Sequence, residues 1–287
     1  MANRFNALRI LKCSVSLCVY VASQIRDFSL HLVGKRNKGY CVVLYYHSVP
    51  PKQREQFGRQ LDTLLRDAKP ISLSDELALQ PGVRYAAVTF DDGFEDFVEV
   101  ALPELSRRAI PCTVFVIARA LGKAFGPYGE PRPVMSVRQL CDLPSHLVTI
   151  GSHTLTHPFL PTLCDEDSQC EITESRTQIE QMLNRKVLLF SFPFGAFNER
   201  LAELCRKAGY ERAFTTLPKL AFQNQDEFIV GRVRVDPSDW PLEFRLKLAG
   251  AYHWLPWAFA LKRRILGKFS RSRSATRHSI IQDMVSQ

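Results

Sequence analysis

The chain has 287 residues, 46% of them hydrophobic, which is enough for one large domain with a full core. Its net charge of +9 is uneven: residues 1–40 carry +6, residues 244–287 carry +8, and the body between them is left at −5. That split excludes a nucleic-acid binder across its whole surface, and eight Cys without a C-x-x-C or paired spacing exclude a disulfide framework and lean cytoplasmic.

Residues 1–39 open with Arg4, Arg9 and Lys12, then an uncharged run from Cys13 to Ile25. Counted alone, the run falls short of the roughly 20 apolar residues a spanning helix needs. It has the layout of a signal peptide, but Tyr20-Val21-Ala22 is a poor cleavage site. An in-plane amphipathic anchor is the preferred reading, and a helix packed on the domain is the alternative.

Cys41 to His47 reads as the first strand, with His47 where the strand opens into a loop. Gln53 to Ala68 reads as a helix. Arg84 to Val88 is apolar with a β-branched end, a buried strand, and it runs into Thr89-Phe90-Asp91-Asp92-Gly93-Phe94. Two carboxylates thus stand at the C-terminal end of a strand, where α/β folds bind ligands. Neighbouring residues point different ways, so Asp91 and Asp92 can serve a proton and a metal separately. An Asp-Asp-Gly turn that only caps the following helix is the plainer alternative.

Pro111 to Ile117 is a further strand. Ala118 to Pro133 reads as a long loop over the site, carrying Phe125 and Tyr128. Leu147 to Ile150 is strand-like and leads into Gly151-Ser152-His153-Thr154-Leu155-Thr156-His157. Two histidines at i and i+4 share a face if the segment is a helical turn. With a carboxylate they make a two-His, one-carboxylate set that leaves positions open for water and substrate. Asp165 to Asn184 reads as a helix, Val187 to Phe190 as a strand, and Asn198 to Ala208 as an Asn-capped helix. The last strands are Arg212–Thr216 and Ile229–Val235. Strands alternating with helices, each motif at a strand's C-terminal end, give an α/β barrel-like fold.

Thr89-Phe90-Asp91-Asp92-Gly93, followed about sixty residues later by Ser152 to His157, resembles the polysaccharide deacetylase, or chitin deacetylase-like, family of metal-dependent carbohydrate esterases. Phe192-Pro193-Phe194-Gly195 is similar to the Pro-aromatic-Gly half of that family's Arg-x-Pro-Tyr-Gly block. Tyr46-His47 ahead of these motifs resembles the permuted order of the poly-N-acetylglucosamine deacetylase branch. The resemblance spans roughly residues 40–235. It implies a deformed (β/α)7 barrel, with Asp92, His153 and His157 on a divalent metal. Zinc is the default, and Co, Ni or Fe suit the same donors. It implies Asp91 as the base, the Phe194 backbone N–H beside Pro193 and Gly195 as oxyanion donor, and His47 as general acid. Ser191 stands where the family carries the Arg that holds the base, so Arg232 or Arg234 is the expected substitute. Val235 to Trp240 is similar to the family's Asp-x-x-Asp-Trp block, and His253 is the rival acid.

The domains expected are 1–39 as a basic and apolar extension, 40–243 as the catalytic domain and 244–287 as a basic, aromatic extension. The implied substrate is an N-acetylated glycan, polymeric or lipid-linked, in exopolysaccharide or cell-envelope metabolism. From Phe244 to Ile281 there is no acid, and nine Lys/Arg alternate with Tyr252, Trp254, Trp257, Phe259 and Phe269. That pattern predicts an anionic membrane surface rather than nucleic acid as partner, and a peripheral location on the cytoplasmic side, with export to the envelope as the alternative. Two rivals are a non-heme iron oxygenase, which prefers a jelly-roll and another ligand order, and a metal-free carbohydrate-binding relative, which needs no base at Asp91.

Overall fold

The structure, a computed structural model, describes residues 2–35, 37–75, 79–126, 130–224 and 226–261. Tyr128 and the basic run from Lys262 onward, with Phe269, lie outside the described residues.

In chain order the strands are β1 (Tyr40–Tyr46), β2 (Lys69–Pro70), β3 (Arg84–Phe90), β4 (Cys112–Val116), β5 (Ala124–Phe125), β6 (Arg132–Pro133), β7 (Val148–Ser152), β8 (Leu189–Ser191), β9 (Arg212–Thr215), β10 (Ile229–Gly231) and β11 (Val233–Arg234). The main sheet runs β10-β9-β8-β7-β4-β3-β1-β11 and is parallel throughout, with β2 beside β3. Its two ends belong to one stretch of chain. Ile229–Gly231 pairs with β9 and Val233–Arg234 pairs with β1, with only Arg232 between them. Counted as one strand, β10 and β11 make a seven-stranded, nearly closed barrel, the deformed (β/α)7 architecture expected from the sequence.

The barrel forms because its strands alternate faces. Cys41, Val43, Tyr85, Ala87, Phe115, Leu189, Phe214 and Val230 make a small inner core. Their neighbours Val42, Leu44, Ala86, Val88, Phe90 and Val114 pack outward beneath the helices. Gly151 is required here, since a Cβ would stand 2.5 Å from the Phe115 ring. The helices are α1 (Ala2–Leu32), α2 (Arg54–Asp67), α3 (Leu102–Arg107), α4 (Val137–Cys141), α5 (Asp165–Leu183), α6 (Glu199–Lys207) and α7 (Pro241–Leu248). Local signals set several boundaries. Ser136 and Gln139 form a capping box on α4, and the Asn198 side chain accepts from Leu201 N to start α6.

Helix α1 differs from its sequence reading. The Arg26 and Asp27 side chains bond to each other at 3.2 Å and do not interrupt the helix. Asn6–Leu32 is therefore one run of 27 residues, long and apolar enough to cross a membrane. Its orientation on the domain is unusual. The stripe toward the domain holds Arg9, Cys13, Ser16, Tyr20, Ser23 and Asp27, while Leu8, Leu11, Leu17, Val21, Ile25 and Phe28 face outward. Arg9 bonds Glu243 at 2.6 Å and stacks on Trp240, and Trp254 Nε1 donates to Ser16 Oγ at 2.9 Å. The loop read over Ala118–Pro133 contains the β5-β6 hairpin, and it sets the Phe125 ring 5.3 Å from that of His157.

Candidate active site

The site stands at the C-terminal ends of β1, β3, β7 and β8. Asp91 N continues the ladder by donating to Tyr46 O at 2.9 Å, which keeps Asp91 on the inner face. Asp92 then turns into the left-handed region at φ 70, followed by Gly93 at φ 71. Aspartate tolerates this conformation better than most residues. The turn is what sends the two adjacent carboxylates in different directions.

Asp91 is buried and held by an arginine from the barrel-closing strand. Arg232 Nη1 donates to Oδ1 at 2.7 Å and Nη2 to Oδ2 at 2.8 Å. The same guanidinium reaches Ser191 Oγ at 2.8 Å and Thr89 Oγ1 at 3.2 Å, and it stacks near the Tyr45 and Phe115 rings. Of the two substitutes read from the sequence, Arg232 fills the role. Arg234 is exposed and makes no bond to Asp91. Ser191, at the position where the family carries its Arg, accepts from Arg232, which takes that Arg's place. Burial pushes the Asp91 carboxyl up, but the Arg232 guanidinium, helped by His153, overcomes it and holds the group at about 2.

Asp92, His153 and His157 converge, with one donor atom from each lying within 4.8 Å of the others. Asp92 Oδ1 is 3.6 Å from His153 Nε2 and 3.7 Å from His157 Nε2. The histidines do not lie on a helical turn, contrary to the reading from their spacing. Residues 153–157 are irregular, with Thr154 at φ 68 and His157 at φ 64. Two left-handed residues bring the rings to 4.8 Å between centroids. This loop is tied down by Glu171 of α5, which accepts from Leu155 N and Thr156 N at 2.9 Å each and from Thr156 Oγ1 at 2.6 Å. Nothing in the sequence marks Glu171, one acid among several on a polar helix.

The donor set suits a divalent cation. His153 Nδ1 lies 2.8 Å from Ser191 O, a carbonyl that can only accept, so the proton sits on Nδ1 and the Nε2 lone pair faces Asp92. Asp92 Oδ1 and His157 Nδ1 are buried polar atoms with no hydrogen-bond partner among the described residues. Burial, and then the Asp91 charge, raise the Asp92 carboxyl to about 8. Burial lowers both histidines, His157 to about 2, which leaves them neutral near pH 7. A cation bound here must displace the Asp92 proton, so apparent affinity is expected to rise about tenfold per pH unit from pH 6 toward 8 and then level. Titrations of Zn²⁺ at pH 6, 7, 8 and 9 check this; a flat affinity contradicts it.

His47 follows β1 directly, is half-buried, and edges the Tyr45 ring. Burial lowers it to about 4, with the Asp91 charge pulling the other way. His253 lies elsewhere. Its turn packs on Tyr40, the first residue of β1, through Tyr40 Oη to Ala249 O at 3.2 Å, whereas His47 follows the last. His253 is exposed and turned to Gly250 O. Asp239, the second Asp of the Val235–Trp240 block, bonds Lys247 at 2.7 Å. Pro193–Gly195 forms a short 3₁₀ turn in which Phe194 sits at φ 60 with its ring 4.7 Å from His157. Gly195 is obligatory there, since a Cβ would lie 2.4 Å from Thr216 N.

A family model described as polysaccharide deacetylase matches residues 79–213. YxkH of Bacillus subtilis (strain 168), carried under the same family name, is 27% identical over 209 residues, 68% of this chain and 71% of its own length. Among solved structures, IcaB from Ammonifex degensii is 26% identical with a TM-score of 0.66, covering 74% of this chain and 98% of that one. Streptococcus pyogenes deacetylase PplD, solved with acetate, shares the fold at 18% identity and TM-score 0.58, over 74% of this chain and 98% of its own.

Proposed function

The chain belongs to the polysaccharide deacetylase family, and on that premise we propose that it is a metal-dependent hydrolase that removes an N-acetyl group from an amino sugar of a polysaccharide or lipid-linked glycan. The observation that carries this is the pairing of one carboxylate held ionised by Arg232 with a second, orphaned carboxylate facing two neutral imidazoles.

Asp92, His153 and His157 would hold the cation. Bound there, a divalent ion, with zinc the default and Co, Ni or Fe compatible, supplies Lewis acidity toward the acetyl carbonyl and lowers the pKa of water. Asp91 accepts the proton that water loses as its oxygen adds to the carbonyl carbon. The Phe194 N–H, in the turn set by Pro193 and Gly195, donates to the carbonyl oxygen as charge gathers on it. The C–N bond then breaks, and acetate and the free amine leave. His47 supplies the amine's proton. It enters the reaction uncharged, takes up the proton that Asp91 has drawn from the water, and passes it to the amine nitrogen as the C–N bond breaks, so Asp91 and His47 act in sequence.

The test is acetate release from N-acetylglucosamine oligomers with and without added metal. Chelated protein is expected to be inactive and Zn²⁺ to restore it. His157→Ala should lose bound metal and activity together. Full metal occupancy in that variant overturns the ligand assignment, and metal-independent release overturns the mechanism.

The protein works at a membrane surface. What supports this is the outward apolar face of α1, with Trp257 80% exposed on the described part of the C-terminal extension. Apolar side chains turned to water at this density are costly unless something covers them, and basic residues nearby favour anionic headgroups. Liposome flotation with and without anionic lipid tests the reading. Failure to float with anionic liposomes at low salt rules it out.

A further inference from the structure

The mouth of the site carries two arginines that the mechanism above does not use. Arg132, on β6, lies with its guanidinium carbon 3.7 Å over the Phe94 ring, and Phe94 follows Asp92-Gly93 directly. Its charge reaches both Asp92 and Asp96. Arg234 lies opposite Tyr45 in the β1-β11 register, two residues before His47. By strand alternation it shares the inner face with Arg232, one step nearer the opening. Both side chains are exposed, and neither makes an ion pair or hydrogen bond among the described residues. Residues 41–243, which carry both, sum to −5, so these two cations stand in the acidic part of the chain. Two uncommitted guanidiniums therefore flank the reacting centre, one on the Asp92 side and one on the His47 side. Phe125, Phe159 and Phe194 add aromatic rings around His157.

Resting on the deacetylase reading, we propose that the substrate is an anionic glycan, with a phosphate or carboxylate on the sugar or linkage next to the N-acetylated residue, bound by Arg132 and Arg234. A guanidinium presents a planar fork of donors that fits phosphate and carboxylate oxygens in pairs. Stacking on Phe94 orients the Arg132 fork while leaving its N–H edge toward solvent. The same charges act against the product. Each turnover leaves an ammonium where a neutral amide was, at the same mouth that carries both arginines, and like charges repel. A glycan already bearing free amines beside the target is thus a poor substrate, which disfavours stepwise stripping of a neutral polymer.

The test compares acetate release from three N-acetylated oligosaccharides of equal length: one neutral, one with a phosphodiester beside the target sugar, one with a uronic acid there. The parent enzyme is expected to favour at least one anionic substrate by about 10-fold or more in kcat/KM at low salt, through KM, with the preference shrinking as salt rises. Which anionic arm is favoured identifies phosphate or carboxylate. Arg132→Gln and Arg234→Gln should each reduce the ratio of anionic to neutral turnover, and the double variant should bring it close to one. Equal turnover of neutral and anionic arms by the parent overturns the proposal and leaves the deacetylase reading standing, as does an unchanged ratio in the double variant. Absence of release from every arm by metal-loaded protein overturns both.

Discussion

Asp91→Asn is expected to bind the divalent cation and to release acetate about 10²-fold more slowly, or slower still, as removal of a general base does. The substitution keeps the shape of the side chain but removes the carboxylate lone pairs that take the water's proton. It also removes a negative charge beside Asp92, which lowers that carboxyl, although burial, the larger cause, still raises it. Metal occupancy is therefore the control that separates a lost base from a lost site. Asp91→Asn leaves Arg232 without its counter-charge, so folding is checked by circular dichroism. His47→Ala provides the companion measurement, because among the described residues His47 forms no ion pair. It is expected to bind metal and to lose turnover on a similar scale, with little change in KM. Parent-level turnover in folded Asp91→Asn sinks the base assignment. Loss of activity in His253→Ala but not in His47→Ala sinks the acid assignment.

Much of this site is legible in the chain because each motif is local. A strand, a carboxylate pair and a glycine announce the Asp91-Asp92 corner, and the spacing of His153 and His157 announces a shared ligand. The spacing does not announce the conformation. Four residues apart suggests a helical turn, while the rings in fact meet through left-handed Thr154 and His157 and the grip of Glu171. Arg232 shows the other limit. It stands 141 residues from Asp91, and Arg232 and Arg234 share a strand face, so alternation cannot choose between them. Only depth decides, and depth comes from closure of the barrel at that residue. Helix α1 was shortened in the sequence reading because charges were counted as ends, although Arg26 and Asp27 satisfy each other on one turn.

Arg232 carries the other large effect. Its side chain is fully buried, and removing one member of a buried ion pair costs about 3–5 kcal/mol because the partner charge is left in low dielectric. Arg232→Met is expected to lower stability on that scale and to abolish most turnover. Without the guanidinium, burial alone acts on Asp91 and pushes its carboxyl up, so the base is protonated near neutral pH. The pH dependence separates this from simple loss of packing. In the parent, Asp91 is depressed to about 2, so its contribution is present above the ordinary carboxylate range and is lost as pH falls through about 2. In Arg232→Met the shift is reversed: stability improves as pH falls and the buried carboxyl takes up its proton. A second substitution tests whether the arginine is defined by its position or by its charge. Ser191 Oγ already lies 2.8 Å from Arg232 Nη2, on the neighbouring strand β8. Ser191→Arg in the Arg232→Met background restores a guanidinium beside Asp91 from the position at which the family motif carries one. Partial recovery of acetate release, with stability again falling at low pH, is the expected outcome. A folded Arg232→Met that turns over at the parent rate shows that Asp91 needs no cationic partner and overturns this assignment.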